Sequence, residues 1–340
     1  MTDAPPLVIA APAPRTLPEI FTPEARARLE ARYRVVEAEA AAVAAHPALA
    51  EARYVIGQPP LPGAALARAA HLRAVFNVEG NLLDNMDYAA CFARGVHVLT
   101  TAPVFAEPVA EIGLCFALAL ARDVVEADVA FRDGRERWGF DGNAQARLIG
   151  GSAVGFVGFG DLGRALRRLL TGFRVTVRAF DPWLPEASLR DADVIPASLD
   201  SVLRDSDTVF VVAPVTTENQ GFLGAEAFAM MRPGASLILL SRAGVVDFPA
   251  LLDAVACGHI RAASDVFPQE PPAPDDPLRR LPGLLRSAHR AGALTEVMLR
   301  MGDMALDDMA LMDRGLPPAR CKRAERETAA RMRSRPVAKT

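Results

Sequence analysis

Gly158, Gly160 and Gly163, with Asp181 eighteen residues further on, have the types and the spacing to hold a dinucleotide. The first glycine allows a tight turn and the second lets the backbone approach a pyrophosphate. The third lets a helix pack close to the strand before it. A helix opening at this point presents unpaired N–H groups and the positive end of its dipole to the phosphates. Asp181 is placed to accept hydrogen bonds from a ribose diol and to repel a 2′-phosphate, so NAD is expected in preference to NADP.

Such a turn works only between the right elements. The apolar run 153–159 predicts a buried strand, a helical segment follows to about Leu170, and 175–180 predicts a second strand that ends at Asp181. The alternation then repeats, with strands expected at 207–213, 235–240, 261–266 and 284–287 and helices at 225–231 and 248–257. The stretch 268–277, PQEPPAPDDP, must be a loop. Ahead of the turn, strands are expected at 7–11, 54–57, 74–78 and 96–99, with a short helix at 66–72. The alanine-rich stretch 23–52 reads as mostly helical, interrupted at Pro47. From Glu107 to about Phe131 one long helix is expected, apolar on nearly every face and so buried between domains or subunits. A methionine-rich helix at 295–314 precedes a tail, 317–340, whose eight Lys or Arg against two Glu predict a frayed, solvated end. This pattern predicts an α/β protein built on parallel sheets.

The 340 residues are enough for two domains, each with its own core, and 51% hydrophobic with 23% charged residues is a globular composition. A net charge of −3 argues against a nucleic-acid partner. Cys91, Cys115, Cys257 and Cys321 are scattered without a CxxC spacing, which predicts neither a disulfide framework nor a metal site. The N-terminus has no basic leader, and the apolar stretch 112–121 is too short to span a bilayer. No membrane partner and a cytoplasmic location are therefore expected.

Three further segments fall at expected strand ends, where open α/β sheets bind ligands. They are LLSRAGVVD (239–247), ASDVFPQEP (263–271) and RSAHRAG (286–292). Together with GFGDLG they resemble the D-isomer-specific 2-hydroxyacid dehydrogenases, over nearly the whole chain. The resemblance implies two Rossmann-like or flavodoxin-like parallel-sheet domains with the active site in the cleft between them. It implies a discontinuous substrate-binding domain, residues 1–102 and 294–340, around an NAD-binding domain at 103–293. It also implies reversible hydride transfer between NAD and C2 of a small 2-oxo or 2-hydroxy acid, in a homodimer with the long helix from Glu107 as an interface element.

Residue by residue, Arg242 matches the family's arginine for the substrate carboxylate and carbonyl. A planar, permanently charged fork suits an α-keto acid. His289 matches the acid/base histidine, which carries or releases a proton near neutral pH. Glu270 matches the glutamate that pairs with that histidine and favours its protonated form. For the cofactor, Asp161 and Leu162 would line the pyrophosphate, Ala213, Pro214 and Thr216 match the segment beside the adenosine ribose, and Leu240 and Ser241 lie along it. Asp265 matches the acid near the nicotinamide amide. Glu79 and Gly80 match the loop that closes on the substrate carboxylate, although VEGN (78–81) departs from its commoner glycine-x-glycine form. Ala243 stands where the family commonly has glycine, and Ala288 where it has proline. Trp138 matches equally an aromatic that in some relatives reaches a neighbouring subunit's active site or a plain packing tryptophan.

Two other readings stay open. One is a family relative oxidising another small anion, such as formate or phosphite; formate enzymes typically carry glutamine at the position of Glu270, which argues against it. The other is an NAD-binding regulator without catalysis, as in transcriptional corepressors of this fold.

Overall fold

Buried parallel strands are apolar along their whole length because both faces are covered, and that is what the strongest runs in this chain become. The computed structural model describes residues 4–80 and 82–332; Asn81, the first three residues and the tail from residue 333 lie outside the described residues. Two compact units are present. One runs from the N-terminus to Phe105 and resumes at Ala293, and the other spans Ala106–Gly292.

The first unit is built on β1 (Leu7–Ala11), β2 (Arg34–Glu37), β3 (Ala52–Gly57), β4 (Ala74–Asn77) and β5 (His97–Thr100), all parallel in the order 2-1-3-4-5. Apolar clusters cover both faces of this sheet. The stretch expected to be helical from Pro23 stops at Arg32, and Arg34–Glu37 adds an edge strand to β1 instead. The two valines there suit a half-buried pleat better than a helix surface.

The C-terminal helix Thr295–Asp313 completes one of those faces. Its Asp313 accepts hydrogen bonds from the Tyr33 hydroxyl at 2.5 Å and the Tyr54 hydroxyl at 2.7 Å. Burial first, and then these bonds, push both phenols up from their ordinary pKa. Asp308 of the same helix is fully buried and accepts the N–H groups of Ala319 (2.7 Å), Arg320 (2.8 Å) and Cys321 (2.8 Å). That carboxylate corrects the expectation of a frayed tail. It leads the chain into a short strand, β13 (Lys322–Arg323), which pairs antiparallel with β5.

The second unit holds β6 (Ala153–Val157), β7 (Thr176–Phe180), β8 (Ile195–Pro196), β9 (Thr208–Val211), β10 (Ser236–Leu239), β11 (Arg261–Ser264) and β12 (Leu284–Arg286). All are parallel, and the sheet order is 12-11-10-9-6-7-8. The order reverses between β6 and β9. Ligands in doubly wound sheets bind outside the carboxyl ends of the strands at such a point. At the opposite edge Asp207 accepts the Ala153 N–H at 2.9 Å and pairs with Arg232 at 2.9 Å. Burial opposes its charge, but those partners and nearby Arg147 hold its carboxyl below the usual range.

The long helix expected from Glu107 is two helices. Ala106–Arg122 ends at Asp123, whose φ of +56° breaks the run, and Val124–Arg132 follows. Asp123 is paired with Arg261 on β11, a partner that local sequence does not reveal. The helical run Ala102–Arg122 is long and apolar enough to cross a membrane, so length alone does not exclude it. What defines its role is packing. Ala110, Phe116, Ala117, Leu120 and Ala121 lie in the core of the second unit, and at Gly113 a Cβ would come within 2.7 Å of Leu240.

Candidate active site

β6 delivers the chain to Gly158, where φ is +85° and a Cβ would stand 2.8 Å from the Ala213 backbone, so only glycine fits this turn. Gly163 lies against its strand, with a Cβ position 3.1 Å from the Phe159 ring. Gly160 caps the helix Asp161–Leu169, and nothing lies within 4 Å of the place a Cβ would take there. The turn is thus closed where it meets the protein and open at the helix N-terminus, which fits an approaching pyrophosphate. Asp161 is exposed at that N-terminus, and Leu162 is half-buried behind it.

Asp181, at the end of β7, accepts the Phe159 N–H at 2.7 Å and the Trp183 N–H at 2.9 Å. A carboxylate has about four lone-pair positions, so these two bonds orient it and leave capacity for a diol. Across the reversal point, Ala213, Pro214 and Thr216 follow β9. They are braced by Asn219, which accepts the Thr216 N–H at 2.8 Å and donates to the Pro214 carbonyl at 2.8 Å. The sequence reading missed that brace; its signal is the turn-forming TTEN (216–219), in which Thr216 Oγ1 also accepts the Glu218 N–H at 3.2 Å.

The three candidate reacting groups come from the ends of three adjacent strands. Leu240 and Ser241 leave β10 bonded to the Val211 carbonyl at 3.1 and 3.4 Å, and Arg242 follows in an extended conformation, one guanidinium N–H donating to the Ser241 carbonyl at 2.7 Å. Asp247, five residues on, caps the helix Phe248–Ala256 and so ties down the far side of the Arg242 loop.

Beyond β11, Glu270 accepts the Phe267 N–H at 2.8 Å through one oxygen. Its other oxygen lies 2.6 Å from Nδ1 of His289, which follows β12. A carboxylate accepts, so this contact matches a proton on Nδ1 and leaves Nε2 as the ring nitrogen that Glu270 does not engage. Both side chains are reachable from solvent, at 45% for the histidine and 35% for the glutamate.

His289 has φ +48°, an uncommon backbone for a non-glycine residue. Asp265 at the end of β11 holds it there. This residue is 2% exposed. Its carbonyl accepts the His289 N–H at 2.8 Å, and its two carboxylate oxygens accept the Arg290 and Ala291 N–H groups, each at 3.1 Å. Sequence reading placed Asp265 beside the cofactor. The geometry adds a second part, that of anchoring the histidine loop, which no side-chain pattern signals because all three donors are backbone.

Glu79 and Gly80 belong to the first unit, beyond β4 at the carboxyl edge of that sheet. The Glu79 N–H donates to Asn77 Oδ1 at 2.7 Å, and its carboxylate pairs with Arg15 at 2.9 Å. Trp138, in the second unit, is 75% exposed and meets the Phe131 ring edge to face, so it is not packed as a core tryptophan among the described residues of its unit. Among the described residues no group of His, Cys, Asp and Glu could hold a metal ion.

Comparison with known proteins places relatives beside this geometry. The NAD-binding domain of the D-isomer specific 2-hydroxyacid dehydrogenases matches residues 114–291. Glyoxylate/hydroxypyruvate reductase B of Pectobacterium carotovorum subsp. carotovorum is 32% identical over 293 residues, covering 84% of this chain and 89% of that protein. D-3-phosphoglycerate dehydrogenase of Archaeoglobus fulgidus is 30% identical over 256 residues, and the match spans only 48% of that longer protein. The crystal structure of a phosphoglycerate oxidoreductase from Rhizobium etli is 62% identical, covers 95% of this chain and 99% of its own, and superposes with a TM-score of 0.88.

Proposed function

Because the chain belongs to the D-isomer-specific 2-hydroxyacid dehydrogenase family, we propose that it reduces a small 2-oxo acid with NADH, and runs the reverse oxidation with NAD. The observation that carries this reading is the 2.6 Å pairing of His289 with Glu270 one strand away from Arg242, on the sheet that also carries the glycine turn. When bound, the nicotinamide supplies the hydride. Arg242 grips the carboxylate in two hydrogen bonds, and its charge stabilises the oxygen as the carbonyl is reduced. His289 gives its Nε2 proton to that oxygen, and Glu270 steadies the imidazolium before transfer. In the reverse direction the same nitrogen takes the hydroxyl proton.

In this proposal the unit Ala106–Gly292 binds NAD, with Asp161, Leu162, Ala213, Thr216, Leu240 and Ser241 along the cofactor. Glu79 and Gly80, in the unit that resumes at Ala293, match the family's loop for the substrate carboxylate. The protein acts as a homodimer in the cytoplasm. Support for the dimer comes from Val125, Val129, Phe131, Trp138, Phe140 and Leu148, large apolar side chains left exposed after the Asp123 break. Val125, Val129 and Phe131 lie on the second half of the run expected from Glu107 to Phe131.

The test is oxidation of NADH and of NADPH against glyoxylate, hydroxypyruvate, pyruvate, phenylpyruvate and 2-oxoglutarate. Turnover with NADH on at least one acid, with NADPH at least about tenfold poorer because Asp181 faces its 2′-phosphate, is the expected result. Silence across the panel while NADH still binds would favour a cofactor-sensing regulator instead.

Asp265→Asn separates anchoring from chemistry. The amide presents a donor to one of the two N–H groups it must accept, so the His289 loop shifts. A displacement of about 1 Å at a reacting group costs on the order of a hundredfold in rate. Turnover at saturating substrates is expected to fall by about that factor in a protein that still melts cooperatively; wild-type turnover would remove the anchoring role.

A further inference from the structure

We propose that Arg279 and Arg286 are positioning residues for the Glu270–His289 pair, a role that rests on the acid–base reading of that pair given above. Together they close a ring of contacts, wholly within the second unit, that keeps carboxylate and imidazole at hydrogen-bonding distance. The need for it begins in the sequence. The loop 268–277 has five prolines in ten residues, and each proline lacks an N–H. Its carbonyls therefore outnumber its backbone donors, and those turned from water need donors from elsewhere. Arg279 supplies them just beyond Glu270, at the half-buried Pro272 and Ala273. Its Nη2 donates to the Pro272 carbonyl at 2.5 Å and its Nε to the Ala273 carbonyl at 2.6 Å.

Arg286 completes the ring from the other side. It ends β12, three residues before His289, and its guanidinium donates to the carbonyl of Leu278 and, at 2.5 Å, to that of Leu281. Leu278 is buried in the core of the second unit, so the segment between the two arginines is a fixed frame. The ring runs from Glu270 through Pro272 to Arg279, across Leu278 and Leu281 to Arg286, and along β12 to His289. There the 2.6 Å contact with Glu270 closes it. Each arginine bridges two carbonyls with one planar fork, which the single point charge of a lysine does not reproduce. Asp265 anchors the backbone of His289; the two arginines hold the backbone that carries Glu270. Both side chains are exposed, so neither is part of the core that keeps the unit folded.

The test uses the full-length protein and the variants Arg279→Gln, Arg279→Lys, Arg286→Gln and Arg286→Lys. The Phe267 N–H, which donates to Glu270 Oε1 at 2.8 Å, reports the place of Glu270 without any turnover. Its hydrogen exchange is expected to rise about tenfold in all four variants, while amides of β6 and β9 exchange as in the wild type. With NADH and the 2-oxo acid that the wild type turns over fastest, kcat is expected to fall about tenfold, less than the hundredfold or so of a full 1 Å misplacement. KM for the acid should change less than about twofold, because Arg242 is untouched. Should a glutamine variant fail to fold, the lysine variant of the same residue carries the measurement. Wild-type exchange at Phe267, or raised exchange with wild-type kcat, overturns the proposal, as does full rescue by lysine. No turnover by the wild type itself overturns the functional reading instead, and exchange at Phe267 still decides whether the ring holds Glu270.

Discussion

Replacing His289 by alanine is expected to lower kcat/KM for the 2-oxo acid about a thousandfold while the affinity for NADH changes less than about twofold, because general acid–base groups contribute on the order of 10²–10⁴ in rate. A thousandfold loss corresponds to about 4 kcal/mol of transition-state stabilisation. The division between the two effects comes from position. His289 follows β12, at one end of the sheet order, whereas the glycine turn and Asp181 follow β6 and β7 on the other side of β9. With the roles proposed above, loss of the imidazole removes the proton donor and leaves the pyrophosphate and ribose contacts alone. Backbone geometry supplies the control. At φ +48° asparagine is among the side chains that tolerate the left-handed region best, so His289→Asn preserves the loop and still lacks an acid. Equal inactivation of both variants, with NADH titrated by its fluorescence, assigns the loss to the missing proton. Recovery in the asparagine variant, or parallel loss of NADH binding, would instead assign it to a collapsed loop.

The largest stability effect is expected at Asp308→Ala. Three backbone N–H groups lose a charged acceptor at a site with no solvent exposure. Hydrogen bonds to charged groups contribute about 1.5–3 kcal/mol each, and part of the loss is recovered if the donors reach water, so a destabilisation of roughly 3–5 kcal/mol is expected. The donors belong to a segment on the border of the sheet, so the cheapest response is local release of residues 317–332 rather than unfolding of the whole unit. Limited trypsin digestion reads this directly through Arg320, Lys322, Arg323 and Arg326, which should be cut at least about tenfold faster than in the wild type, since cleavage tracks the population of the open form. Unchanged cleavage and an unchanged urea midpoint would show that Asp308 is dispensable.

Asp308 also marks where the sequence stops being legible. The glycine turn, its strand and Asp181 can be read directly, since the chemistry and the elements that hold it lie within thirty-one consecutive residues, 151–181. The interior strands can be read as well, because burial on both faces demands apolar runs such as Leu7–Ala11 and the Val-Phe-Val that ends Thr208–Val211. Arg34–Glu37 hides in an alanine-rich context, and only pairing with β1 makes it a strand. Lys322–Arg323 has the composition of a solvated tail; a buried carboxylate on a preceding helix turns it into sheet. The break at Asp123 depends on Arg261, 138 residues away. Among the candidate residues of the second unit, Arg242, Glu270 and His289 are visible as a set through family resemblance, whereas the anchoring by Asp265 exists only once the chain has folded.

The discontinuity of the first unit has a consequence for how the chain is made. Ala106–Gly292 is contiguous and can close its sheet as it leaves the ribosome. Tyr33 and Tyr54, by contrast, must wait for Asp313, 280 and 259 residues downstream. At about 5–20 residues per second the intervening insert takes on the order of ten to forty seconds to synthesise. Through that interval the N-terminal sheet lacks the methionine-rich helix that covers one of its faces, and Leu17, Ile20 and Leu29 have no partner from it. The helix Thr295–Asp313 is therefore the latch that covers this face and completes the first unit.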